Sequence, residues 1–86
     1  MPLISEFFGI SIFMYWNEHV PPHFHASYAE YEILVDIRDA VVLKGAFPAK
    51  QLKLVLAWCE LREAELLGNW ERAKDMQEML HIDPLR

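Results

Sequence analysis

Three of the chain's four histidines, His19, His23 and His25, fall within seven residues wrapped around Pro21-Pro22. Imidazole is the common side chain poised to exchange a proton near neutral pH, and it also suits borderline metal ions. Two chemistries follow. Three neutral imidazoles can hold zinc or nickel and leave a position open for water. Alternatively, one histidine acts as base and another as acid on a phosphodiester, with Lys44 or Arg38 steadying the phosphate; the chain would then be a small ribonuclease with RNA as its partner. A third reading makes the histidines polar residues on the exposed side of a half-buried sheet. The stiff Pro-Pro connection weighs toward a site, because preorganised side chains need rigid support. His23, His25 and Glu30 also spell His-x-His-x4-Glu, a pattern similar to the first metal motif of cupin barrels. Against that likeness, Glu30 has the opposite strand parity, no second motif follows, and the chain turns helical where a barrel needs strands.

The elements that must position these residues are strands. From Ile10 to Trp16 the residues alternate, with Ile10, Ile12, Met14 and Trp16 on one face and Ser11, Phe13 and Tyr15 on the other. Gly9 separates this strand from "ISEFF", which reads as a short extension with a bulge at the glycine. The two prolines cannot donate ladder hydrogen bonds, so "NEHVPP" is a rigid loop. From His23 onward, Phe24, Ala26 and Tyr28 share one face and His23, His25 and Ser27 the other, and Tyr15, Glu32 and Asp36 have the parity to join the histidine face. A turn at Ala29-Glu30, the strand "YEILVDI", a turn at "RDA" and the short strand "VVLKG" complete an antiparallel meander.

After Pro48 the period changes. Leu52, Val55, Leu56 and Cys59 recur at helical spacing, and Leu52, Cys59, Leu66, Ala73 and Leu80 stay seven apart across Gly68. One long helix from about residue 49 to 76 is expected, weakened at Gly68 by about 1 kcal/mol relative to Ala. The tail "HIDPLR" is irregular because Pro84 cannot extend a helix. The predicted fold class is α+β, a meander of about four strands packed on one face by a long C-terminal helix, in a single domain over residues 1–86 with a sheet half at about 3–45 and a helical half at about 48–80. Parity places Ile12, Met14, Phe24, Tyr28, Ile33, Val35 and Leu43 against Leu52, Val55, Leu56 and Cys59, with the histidine face turned away from the helix.

Composition narrows the classes further. At 53% hydrophobic residues the chain can build a packed core, and a net charge of −5 makes it a poor general counterion for nucleic acid. No apolar run reaches the length of a membrane span and the first residues lack the layout of a secretory signal, so a cytoplasmic protein without membrane contact is expected. The lone Cys59 sits among apolar helical residues and reads as a small buried hydrophobe. Trp58 and Trp70 are helix residues that pack or face a partner.

"ISEFFGISIFMYWNEHVPPHFHASY", the Pro-led helix with "LVLAWCELREAELLGNW", and the closing "IDPL" together resemble the bacterial family catalogued as domain of unknown function 4160. The likeness covers nearly the whole chain. It is most specific at Phe8-Gly9-Ile10, at His19-x-Pro21-Pro22-His23-Phe24-His25, and at Leu66-x-x-Asn69-Trp70. Gly68 departs from the helix-friendlier residue usual there, and Arg62 stands where a histidine is frequent. The resemblance implies a small stand-alone protein, often encoded beside a member of domain of unknown function 2442, in an arrangement that suggests a toxin–antitoxin-like two-gene module.

Two expectations follow for partners and ions. A straight helix of about 28 residues spans roughly 42 Å, against about 20 Å for a strand of six or seven residues. One end must overhang the sheet, exposing Trp70, Ala73 and Leu80 to a small cognate partner protein or to a second copy in a homodimer. The histidines are expected to bind zinc or nickel weakly, with water or a second chain completing the coordination, in a fold that needs no metal or other cofactor.

Overall fold

The computed structural model describes residues 2–86. Five strands, β1 (Leu3–Phe7), β2 (Ile10–Phe13), β3 (His23–Tyr28), β4 (Tyr31–Asp36) and β5 (Val41–Gly45), pair in chain order as one antiparallel meander. Two helices follow, α1 (Ala49–Leu61) and α2 (Glu63–Lys74). The α+β class is as expected, but the sheet has five strands rather than about four, and two helices replace the single long one.

The extra strand arises at Phe8-Gly9. Both residues take left-handed backbone, φ 49° and 78°, and Phe7 pairs with Ile10, so the two form a tight hairpin turn rather than a bulge. Successive left-handed residues match the natural twist of paired strands, and glycine adopts that conformation without steric cost. Ile4 to Phe7 of "ISEFF" are therefore part of a full edge strand, and Phe8 belongs to the turn. The turn at Ala29-Glu30 is also a two-residue hairpin, with Tyr28 opposite Tyr31.

Parity places most of the core correctly. Ile12, Phe24, Ala26, Ile33 and Val35 are fully buried. Leu43 is the exception at 45% exposure. The β4–β5 register slips between Leu34 and Val35, bringing Val42 opposite Val35, and Val42 packs on the core instead. Such a bulge puts two residues of one strand against one of its neighbour and reverses the faces beyond it. Tyr28, Leu52 and Leu56 are partly buried against the core, while Val55 and Cys59 are wholly inside. Trp58 is the largest fully buried side chain, its ring 5.2 Å from Phe7 and 5.7 Å from Phe24 between centroids.

The helix breaks at Arg62, whose backbone departs to φ −114° and ψ 21°, and not at Gly68. A straight helix of roughly 42 Å would exceed the molecule's longest dimension of 34 Å. The interruption allows both segments to keep one buried stripe, with Cys59, Leu66 and Ala73 inside at the expected sevenfold spacing. The overhang does not occur. Trp70 and Ala73 are only 4% and 3% exposed, although Leu80 beyond the helix is 54% exposed.

The tail covers the stripe through specific hydrogen bonds. Asn69 Nδ2 donates to Leu80 O and Asn69 Oδ1 accepts from Leu80 N, both at 2.8 Å. Trp58 Nε1 donates to Asp83 O, Trp16 Nε1 donates to Gln77 O, and Ile82 N donates to Ile4 O on β1. Ile82 then plugs into the core. The Leu66-x-x-Asn69-Trp70 motif thus has a structural role, with Asn69 pairing to tail backbone as another strand would.

Two predictions arise from this architecture. Gly68 has ordinary helical backbone, and a methyl group added there would meet nothing within 4 Å. Gly68→Ala should therefore stabilise the chain by about 1 kcal/mol, read from chemical denaturation. Cys59 is fully buried, its thiol donating weakly to Ile37 O at 3.6 Å. Burial first, then the carboxylates of Glu63, Asp36 and Glu60, push this thiol up to about 12. It should resist thiol-specific chromogenic reagents at pH 8 in native protein and react fully in denaturant, because the thiolate is the reacting species.

Candidate metal centre

The backbone that brings the site together begins in the loop after β2. Asn17 adopts left-handed backbone at φ 61°, a conformation asparagine tolerates better than most residues, and Trp16 before it is anchored to the tail. The chain then delivers Glu18 to the open end of β3, where His23 and His25 project from the same strand face. Glu18, His23 and His25 each offer a ligand atom, all within 4.8 Å of one another.

Hydrogen bonding places one proton of His23. Its Nδ1 lies 2.8 Å from Pro21 O. A carbonyl oxygen can only accept, so Nδ1 carries the proton, and in the neutral ring Nε2 is a bare lone pair. That nitrogen is buried, in a residue only 7% exposed, and has no hydrogen-bond partner. It faces Glu18 Oε1 at 3.4 Å. When the ring is neutral, this lone pair and the part-exposed Glu18 carboxylate face each other, a gap that a proton or a metal cation would close. His25 Nε2 reaches the same carboxylate oxygen at 2.6 Å, within charge-assisted hydrogen-bond range.

Aromatic rings support the cluster. Trp70 lies 5.2 Å from the His23 ring, the His23 and His25 rings are 5.5 Å apart, and Tyr15 meets His25 edge-on at 4.7 Å. Burial first, then Glu32 and Glu18, raise the Tyr15 phenol above its ordinary value. At neutral pH it is a hydroxyl and not an anionic ligand.

The structure brings together His23, His25, Tyr15 and Trp70 of the expected site residues. His19 is exposed and outside the cluster, and its neighbour Glu18 supplies the third donor. Lys44 shares a cross-strand row with His25 through Leu34, two strand spacings or roughly 10 Å away, too far for direct contact. Arg38 is exposed on the β4–β5 turn, beside a pocket next to the site. Asp36 has the right parity, but its Oδ1 accepts from Asp39 N and so serves its own turn. The expectation that the histidine face lies away from the helix holds only for α1, where Phe24 packs on Trp58; it fails for α2, whose Trp70 covers the His23 ring.

These features define a small α+β protein, a five-stranded meander backed by a bent helix pair, with a Glu-His-His donor cluster at one end of the sheet. A family model described as Domain of unknown function (DUF4160) matches residues 9–71, and the chain belongs to that family. No curated protein and no solved structure matches the chain. The matched span contains the whole donor cluster and ends one residue beyond Trp70. Among the described residues, no helix is long and apolar enough to cross a membrane.

Proposed function

We propose that this protein binds one divalent ion of the zinc class through Glu18 Oε1, His23 Nε2 and His25 Nε2. The observation that supports this most is the buried Nε2 of His23, which has no hydrogen-bond partner, is a lone pair in the neutral ring whose Nδ1–H bonds Pro21 O, and is aimed at a carboxylate oxygen. Histidine ligands of metals characteristically donate their other ring N–H to a carbonyl or carboxylate, which orients the ring. Two histidines and one carboxylate are a common donor set for catalytic zinc, and the part-exposed Glu18 and His25 leave one side open to water. Bound there, an ion would supply Lewis acidity and an activated water. Without one, the proton between His25 and Glu18 takes part of its place.

Calorimetric titration of chelator-stripped protein with zinc tests the reading. One ion per chain is expected, with affinity reduced about 100-fold or more in His25→Ala and in Glu18→Gln. Unchanged binding in both variants would remove the reading.

A second reading, an interaction component of a toxin–antitoxin-like two-gene module, draws support from Leu3, Val41 and Leu43, exposed by 45% or more on the outer strands. Co-purification with the product of the adjoining gene tests it, and substitution of Val41 and Leu43 by serine should weaken the complex.

A further inference from the structure

Pro21, Pro22 and Trp70 flank the donor cluster on one side and on the other line a surface pocket of about 510 Å³. That volume lies within the range of small-molecule sites, roughly 300–1,000 Å³. Val20 extends its apolar wall, and Arg38, Glu71 and Lys74 form the charged part. Arg38 makes no ion pair among the described residues. Lys74 meets Glu71 at 3.5 Å, but both side chains are more than half exposed and such pairs are weak. Two cations against one carboxylate leave this pocket positive on a chain of net charge −5.

We propose that the pocket is a subsite for a phosphate ester with an apolar or aromatic ester group. The phosphate sits on Arg38 and Lys74, and the ester group lies against Val20, Pro21 and Pro22. A guanidinium presents paired N–H donors matched to phosphate oxygens, and an ammonium adds a point charge. The pocket and the donor cluster share walls: Pro21 O holds His23 Nδ1, and Trp70 borders both the His23 ring and the pocket. As the substrate class of the ion centre, this assignment rests on the metal reading; the binding itself needs no ion. Glu71 gives it a signature, because a carboxylate beside the phosphate opposes binding.

The test is calorimetric titration of the full chain with phenyl phosphate at low salt, with and without zinc, with phenol and inorganic phosphate as separate arms. Phenyl phosphate should bind, inorganic phosphate more weakly, and phenol not measurably. The dissociation constant should rise about tenfold in Arg38→Gln and fall about threefold in Glu71→Gln. These residues are exposed, and thermal melts will show that the variants fold. No binding of phenyl phosphate at millimolar concentration, equal binding of phenol, or an affinity indifferent to both substitutions would overturn the proposal. The two ligands also separate the two readings. A chain that takes phenyl phosphate but no zinc keeps the pocket and loses the ion centre, and one that takes zinc but no phenyl phosphate does the reverse.

Discussion

Trp58→Ala is expected to lower the unfolding free energy by about 3–5 kcal/mol, the range for removing a large aromatic side chain from a packed core. Trp58 is fully buried, touches Phe7 and Phe24, and its indole N–H donates to Asp83 O at 2.8 Å. One side chain thus joins β1, β3, α1 and the tail. At roughly 0.05–0.15 kcal/mol per residue, an 86-residue chain has about 4–13 kcal/mol in all, so the variant should lose a large part of its stability at 25 °C. Urea denaturation followed by far-UV circular dichroism checks this. Trp58→Phe keeps an aromatic ring in the core but loses the bond to Asp83, and should cost about 1–2 kcal/mol. A loss below about 1 kcal/mol in Trp58→Ala would mean that the core is not organised around this residue.

The period-2 pattern that buried Phe24 and Ala26 and left His25 on the open face was legible because each strand has one wet and one dry side. It failed at Leu43, where the register slip in the β4–β5 ladder reverses parity and leaves no mark in the hydrophobic pattern. The fifth strand was hidden for a related reason. Phe8 in left-handed backbone is an uncommon turn residue, so "FFG" reads as strand continuing into a glycine. The sevenfold stripe in the helices was correct in phase, yet a phase does not reveal a bend that preserves it. Arg62 is neither glycine nor proline, so its residue type carries no signal of the break.

The site was half legible. His23 and His25 followed from strand parity. Glu18 did not, because its approach depends on the left-handed Asn17 and on the anchoring of Trp16 to Gln77, a contact spanning 61 residues. Histidine content drew attention to His19, while the backbone direction after Asn17 presents its neighbour instead. An acidic residue within a short loop of a His-x-His strand was the available signal. The family motif pointed to the same stretch without separating the residues that cluster from their neighbours.

Zinc is expected to stabilise this fold without being required for it. Glu18 and His25 lie outside the apolar core, which the sheet, α1, α2 and the tail close by themselves. Chelator-treated protein should therefore still melt cooperatively, unlike a small domain whose folding free energy comes from its metal. Binding to the native state alone adds RT ln(1 + [L]/Kd), so free zinc at 100 times Kd should contribute about 2.7 kcal/mol. For a domain of this size that is a rise in Tm of roughly 10–20 °C. His25→Ala should change the metal-free melt little, because its ring is partly exposed, and should abolish the rise. His23→Ala is the less clean variant, since it also opens space beneath Trp70 and frees Pro21 O. The informative pair is Glu18→Gln with His25→Ala. Glu18→Gln keeps shape and a hydrogen-bond acceptor but removes the charge facing His23 Nε2, so a rise in Tm that persists in both variants would place the zinc elsewhere, and a metal-free wild-type chain without a cooperative transition would make the ion a condition of folding.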